Sequence, residues 1–273
     1  MKVGIIGIGN MGTILSEALL TGKAISPSNL IIINRTTAKA ERLRDKYQGI
    51  TIANSPKELI ESSNLIFLCL KPKDFYSFLQ ENKQYFRTDQ CLASITSPIH
   101  TAWLEKVVPS SCVRTIPSIT NRALTGVTLI TFGERCTDKW KDDLHEIFSM
   151  ISTPLLIPEE ITRVSSDIVS CGPAFFSYIT RRFIEAAVAE TKIDKKTAEI
   201  MFEHMLVGFG DLLKKGYYSL SELEEKVCVK GGITGEGIDV LENELGDTFE
   251  KVFQATHKKY TKEVQELEKD FID

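Results

Sequence analysis

The sequence predicts an α/β chain in two parts: a doubly wound parallel sheet over residues 1–158 and an all-helical half over residues 159–273. Three observations predict it. A glycine-rich turn stands between a strand and a helix at the start of the chain. Short apolar runs then alternate with stretches of helical periodicity, and after Pro158 the strands stop. The 273 residues leave room for two domains, and a composition 42% hydrophobic and 26% charged is that of an ordinary globular protein.

The first strand, Val3 to Ile6, is apolar throughout, as a parallel strand covered on both faces should be. Gly7-Ile8-Gly9-Asn10-Met11-Gly12 follows at once, and Ile14, Leu15, Ala18 and Leu19 then share one helical face. In that setting Gly7 allows a tight turn, Gly9 lets the backbone approach a pyrophosphate, and Gly12 lets the helix pack close to the strand. The pyrophosphate rests on the free N–H groups of the helix N-terminus. This is the Rossmann arrangement, and it predicts a dinucleotide cofactor.

Asn29 to Ile33 is the second strand and ends in Asn34-Arg35-Thr36-Thr37. No Asp or Glu stands there to bind a ribose 2′-hydroxyl, whereas Arg35 beside an amide and two hydroxyls suits a 2′-phosphate. NADPH (NADP+) is expected over NADH on that ground; the alternative is a polar turn with a solvated arginine. Ile50 to Ala53 is a short strand, and Ser55-Pro56-Lys57-Glu58 has the form of a capping box with proline at the first helical position.

Asn64 to Leu70 reads as a central strand and stops at Lys71-Pro72. Cys91 to Ile95 opens into Thr96-Ser97-Pro98, and Cys112 to Ile116 opens into Pro117-Ser118-Ile119-Thr120-Asn121. Gly126 to Phe132 and Pro154 to Ile157 add strands around a helix from Thr137 to Met150. Ligands of such sheets bind beyond the carboxyl ends of the strands. The loops at Lys71, Thr96 and Ser118 are therefore candidate site loops by position.

From Glu159 onward the periodicity is helical. Ile161 to Thr191 is a long helix that Cys171-Gly172-Pro173 should kink or break, because proline withholds a helix hydrogen bond. Segments 195–215, 219–227, 235–245 and 248–271 complete this half, and its Lys/Glu-rich end reads as a solvated helix face. Leu206, Phe209, Leu212 and Leu213 form an apolar stripe whose default explanation is core packing. So much apolar surface on so few residues points to a homodimer through the helical half, with room for a higher oligomer.

A net charge of -4 provides no basic footprint for nucleic acid. No apolar run reaches the roughly 18 residues of a membrane helix, and the first residues lack the order of a signal peptide. Cys69, Cys91, Cys112, Cys136, Cys171 and Cys228 are scattered with no C-x-x-C pair, so a reduced, cytoplasmic protein is expected. The four histidines lack metal-ligand spacing, and no metal is expected.

Four segments carry a resemblance: Gly7 to Gly12, Leu70-Lys71-Pro72, Ser170-Cys171-Gly172-Pro173-Ala174-Phe175, and Lys230-Gly231-Gly232-Ile233-Thr234. Through them the chain resembles the Δ1-pyrroline-5-carboxylate reductase family along nearly its whole length. That family reduces a cyclic imine to L-proline with NAD(P)H and joins a Rossmann domain to a helical dimerisation domain. Two further segments, 117–124 and 227–232, resemble the late-competence members of that family in bacilli.

The resemblance implies that Ile8, Gly9, Asn10 and Met11 contact the cofactor's phosphates and nicotinamide side. It implies that Asn34 and Arg35 meet the 2′-phosphate, and that Lys71 and Pro72 line the cofactor's ribose. Ser118 stands where the family has the asparagine of its Met-Pro-Asn motif, near the nicotinamide. Gly231, Gly232 and Thr234 would hold the substrate carboxylate in a loop that the family contributes across its dimer interface. Thr234 is the candidate catalytic group near the imine nitrogen; equally, its hydroxyl caps the helix that starts near Gly235.

The chain departs from the family pattern at the substrate side. Val229-Lys230 replaces the Ser-Pro of Ser-Pro-Gly-Gly-x-Thr, so a hydroxyl is lost and a cation gained. Val169-Ser170-Cys171 replaces Ser-Gly-Ser, and Thr96-Ser97-Pro98 replaces an Ala-Gly turn. Lys230 would compensate for the lost serine towards an imine or amino-acid-like carboxylate. Two other functions fit the plan less directly. β-Hydroxyacid dehydrogenases want a catalytic lysine on the first long helix after the break, but residues 161–191 hold only Arg163, Arg181 and Arg182 as bases. A cofactor-binding dimer with a regulatory role, kept open by Val229, is the alternative.

Overall fold

The computed structural model describes residues 1–272. It comprises two compact units, one of residues 1–173 together with the chain from Ala255 onward, the other Ala174–Gln254. The first unit opens with β1 (Val3–Ile6), α1 (Asn10–Thr21), β2 (Leu30–Ile33), α2 (Thr37–Lys46), β3 (Thr51–Ile52), α3 (Pro56–Ser62) and β4 (Leu65–Leu68). It continues through α4 (Phe75–Asn82), β5 (Cys91–Ser94), α5 (Thr101–Val107), β6 (Ser111–Ile116), β7 (Val127–Phe132), α6 (Asp138–Ser149) and β8 (Thr153–Leu156).

The strands make one sheet in the order β3-β2-β1-β4-β5-β6-β7-β8. Alternate side chains go to opposite faces, as the pleat requires. Val3, Ile5, Leu65 and Phe67 pack with α1, α2 and α6, while Ile6, Ile66 and Leu68 pack with α3, α4 and α5. At the start of α3, the Ser55 hydroxyl accepts from the Glu58 N–H at 3.2 Å. The Glu58 carboxylate reaches back one residue further than a capping box, to the N–H of Asn54 at 2.8 Å.

The sheet is not parallel throughout. β6 and β7 pair antiparallel, with Ile116 opposite Leu129 and Val113 opposite Phe132. Only one short helical turn, Ile119–Ala123, joins them, and so brief a link returns a strand beside its predecessor instead of crossing over. α6 then provides a true crossover, and β8 lies parallel to β7.

After β8 come α7 (Thr162–Ser166), a π turn (Asp167–Cys171), α8 (Gly172–Glu190), α9 (Lys195–Lys214), α10 (Leu220–Val227), α11 (Ile233–Leu245) and α12 (Thr248–Ile272). The long helix expected to kink or break around Pro173 is interrupted by the π turn Asp167–Cys171 just before it, and α8 then runs on through Pro173. The chain's end is not a solvated face alone. Leu267 and Phe271 of α12 are buried in the α4–α5 core, with Phe271 stacked on Trp103 at 5.4 Å and edge-on to Tyr76 at 5.1 Å. They sit four residues apart, which puts them on one side of the helix.

In the second unit only Ile184 and Ala198 are buried apolar residues among those described. Phe176, Phe183 and Val207 are each about two-thirds exposed. Leu206 and Leu213 of the predicted core stripe are exposed as well, so a single chain does not bury that stripe. No described helix is long and apolar enough to cross a membrane.

Candidate functional site

The glycine turn sits between the carboxyl ends of β1, β2 and β4. The Gly7 N–H donates to the Ile33 carbonyl at 2.9 Å, and the Cys69 N–H donates to the Ile6 carbonyl at 2.8 Å. Gly7 has a φ of 99°, and a Cβ there would lie 2.6 Å from the Cys69 carbonyl oxygen. A Cβ on Gly12 would lie 2.0 Å from the Gly7 carbonyl oxygen, so α1 packs against the turn with no room for a side chain. Gly9 is different: a Cβ there meets no atom within 4 Å. The middle glycine faces open space, beside an α1 N-terminus that no side chain caps. A backbone cradle with uncapped helix N–H groups and one unfilled glycine fits a dinucleotide pyrophosphate.

Asn34 has a mechanical part in this cradle. Its Oδ1 accepts the Ile8 N–H at 2.8 Å, and its Nδ2 donates to the Thr36 carbonyl at 2.9 Å. The amide thereby ties the glycine turn to the β2–α2 turn. Arg35 is exposed, with no partner among the described contacts, and carries the free positive charge of that turn. A cavity of about 520 Å³ runs from Ile8, Gly9 and Asn10 to Lys39, Arg42 and Arg122. Arg122 and Lys46 are both tied to Glu17 of α1, at 3.4 and 2.6 Å. Lys71 is exposed at the head of a short helical turn, Pro72–Asp74, beyond β4.

Ser118 is buried, and its hydroxyl bonds entirely within the protein. It donates to the Val169 carbonyl at 2.8 Å and accepts from the N–H and hydroxyl of Thr120. Those contacts use its one proton and both lone pairs. The Ser170 hydroxyl donates to the Pro117 carbonyl at 3.3 Å. Through these two bonds the π turn is fastened to the end of β6.

Beyond β5 and β6 lies an ionic cluster that sequence reasoning missed. Arg114, on β6, is wholly buried. Its guanidinium forks onto Glu159 at 2.6 and 2.9 Å and also donates to Thr162, Thr131 and the Ser97 carbonyl. His100 Nδ1 lies 2.9 Å from the same carboxylate. Burial alone would raise the Glu159 carboxyl, but His100 and Arg114 outweigh it and hold the group below the ordinary range. A second pair follows. Arg163 donates to the fully buried Asp167 at 2.8 Å, and Asp167 accepts the Thr256 hydroxyl at 2.7 Å. Arg163 also reaches the Ser97 hydroxyl at 3.3 Å and the Cys171 sulfur at 3.5 Å, with its guanidinium over the Tyr260 ring.

A signal for this cluster was present. Arg114 stands in the middle of the strand expected from Cys112 to Ile116, and an arginine in a strand covered on both faces needs a buried counter-charge. Which acid supplies it cannot be read from spacing, because Glu159 follows 45 residues later.

Lys230, Gly231, Gly232 and Thr234 belong to the second unit. Gly231 has a φ of 74°, and the Gly232 N–H closes a turn onto the Val229 carbonyl at 2.8 Å. Gly232 is the cap of α11 and has no side-chain cap bond, so Thr234 lies inside the helix and is not its cap. Val229, Lys230 and Thr234 are all exposed. All six cysteines are free.

Comparison with known proteins matches residues 159–263 to the family described as pyrroline-5-carboxylate reductase dimerisation, and residues 2–98 to that described as NADP oxidoreductase coenzyme F420-dependent. ComE operon protein 4 of Bacillus subtilis is 51% identical over 271 residues, with 99% of each chain covered. Pyrroline-5-carboxylate reductase 3 of the same organism is 30% identical over 262 residues, with 95% of each covered. The solved structure of pyrroline carboxylate reductase of Plasmodium falciparum with NADP bound superposes with a TM-score of 0.82, covering 98% of each chain at 20% identity. At that identity the likeness is one of fold.

Proposed function

The chain belongs to the pyrroline-5-carboxylate reductase family, and from that premise we propose that it is an NADPH-dependent imine reductase, delivering hydride to the C=N bond of 1-pyrroline-5-carboxylate to give L-proline. The observation that carries this reading is the open cradle at Gly9, walled by two glycines that admit no side chain. Bound NADPH supplies the hydride.

The protein's part is to bind, orient and exclude water. The Gly7–Gly12 turn and the α1 N-terminus take the pyrophosphate. Arg35, free of any acidic neighbour in its turn, takes the 2′-phosphate and favours NADPH over NADH. Lys71 and Pro72 border the ribose. The Lys230–Thr234 turn holds the substrate carboxylate through backbone N–H groups and the Lys230 ammonium, with the Thr234 hydroxyl near the imine nitrogen. An iminium is already electrophilic, so no His/Asp pair is required; alignment over the cofactor is the main demand. The exposed apolar face of the second unit supports a homodimer through residues 159–273, and six free thiols suit the cytoplasm.

The test is NADPH oxidation by the purified protein with and without 1-pyrroline-5-carboxylate. Substrate-dependent turnover is expected. NADPH binding without turnover would keep the cofactor site and move the function to another imine or to a regulatory role, which the missing hydroxyl at Val229 favours.

A further inference from the structure

We infer that Arg163 is a positioning residue: through Ser97 and the 167–171 turn it holds the nicotinamide side of the cleft in reactive geometry. The inference rests on the dinucleotide site proposed above. The order of the sheet gives the direction of the cofactor. Asn34 and Arg35 follow β2, so the adenosine half lies on that side, and the nicotinamide half extends over the carboxyl ends of β4 to β6. Ser97 follows β5, and Pro117-Ser118 follow β6.

Three side chains from three elements converge on Ser97. Arg114 donates to its carbonyl at 3.2 Å, the Tyr260 hydroxyl reaches the same carbonyl at 3.5 Å, and Arg163 donates to its hydroxyl at 3.3 Å. Of these, Arg163 alone among the described contacts touches the side chain of Ser97. Its other terminal nitrogen holds Asp167 and Cys171, the first and last residues of the π turn. One guanidinium thus spans the β5 loop and the turn that is fastened to the β6 loop by Ser118 and Ser170. π turns are rare and are frequently found at functional sites. The planar fork matters, because its two terminal nitrogens stand apart and face Ser97 on one side and Asp167 with Cys171 on the other, whereas an ammonium is a single point charge.

The experiment compares Arg163→Lys and Ser97→Ala with wild type in three measurements: the NADPH Kd, the emission of the bound nicotinamide without substrate, and kcat and KM with 1-pyrroline-5-carboxylate. Neither variant leaves Asp167 without a cation, and Ser97→Ala removes one hydroxyl, so it decides if the lysine variant fails to fold. The Kd should stay within about twofold, because the phosphate contacts are untouched. Nicotinamide emission should change by about twofold, and kcat should fall about tenfold or more with KM nearly constant, as misalignment without lost binding predicts. Wild-type kcat and wild-type emission in Ser97→Ala would overturn the inference. If wild type binds NADPH but shows no turnover, the imine reading fails alone, and the emission decides the role of Arg163: a change supports it and no change overturns it. If wild type binds no NADPH, both readings fail.

Discussion

Arg114 and Glu159 form a two-pronged ion pair at 2.6 and 2.9 Å, with the guanidinium wholly buried between the sheet and the first turn of the helical segment. The pair fastens β6 to the residues that follow β8. Around it, His100, Thr131, Thr162 and Ser97 take up most of the remaining donors and acceptors, which is what makes a buried charge tolerable.

Removing one member should therefore cost more than the pair is worth. Glu159→Ala should lower stability by about 3 kcal/mol, because it strands the Arg114 charge. Glu159→Gln, which keeps an acceptor for the fork, should lose less. Urea denaturation measures both, and a wild-type midpoint for the alanine variant would show that the pair does not hold the fold.

The same pair sets a pH dependence. The folded-state Glu159 carboxyl lies below its ordinary value of 4.5, so its contribution is full above that value and is lost as pH falls through the lower folded one. The stability of wild type should drop towards acid more steeply than that of Glu159→Gln over this window. Parallel curves would remove the carboxylate from the account.

The two glycines of the turn should separate folding from binding. Gly9→Ala adds a methyl to open space at φ −85°, a conformation open to alanine, so stability should hold while NADPH affinity falls about tenfold or more. Gly12→Ala drives a methyl into the Gly7 carbonyl and should itself destabilise, by about 2 kcal/mol. Thermal melts and cofactor titration on the two variants test the contrast.

Asn34 and Arg35 adjoin, yet their variants should differ in kind. Asn34→Ala releases the glycine turn from β2, so NADPH and NADH affinities should fall together. Arg35→Asp replaces a phosphate partner with a like charge and should weaken NADPH by about tenfold more than NADH. Equal losses in Arg35→Asp would take the 2′-phosphate away from this turn.

At the other loop, Val229→Ser with Lys230→Pro should lower KM for 1-pyrroline-5-carboxylate, because it restores the hydroxyl of the family pattern at the proposed carboxylate turn. An unchanged KM would give that turn another job.

Much of this protein was legible before any coordinate. Val3 to Ile6 reads as a buried strand from its apolar run, and Gly7, Gly9 and Gly12 read as a cradle because they stand between that strand and a helix. A strand's pleat and a turn's backbone freedom are decided within a few residues, and the eight strands lie within a residue or two of their expected positions along the chain. Departures appear where a residue's partner lies far along the chain. Ser118 looked available to a ligand, but its hydroxyl is used by Val169 and Thr120; Asn34 looked like a phosphate ligand, but both ends of its amide hold the backbone.

The sequence by itself determined the α/β order, the glycine turn between β1 and α1, the family and the apolar excess of the helical half. Each of these is written in local periodicity, in short motifs or in composition. Only the tertiary structure decided that β7 runs antiparallel, that Leu267 and Phe271 return to the α4–α5 core, and that Arg114 and Arg163 brace the loops beyond β5 and β6. These depend on pairings across tens of residues, up to the 163 that separate Tyr260 from Ser97. A buried charge announces that it needs a partner, but chain folding alone brings one within 3 Å.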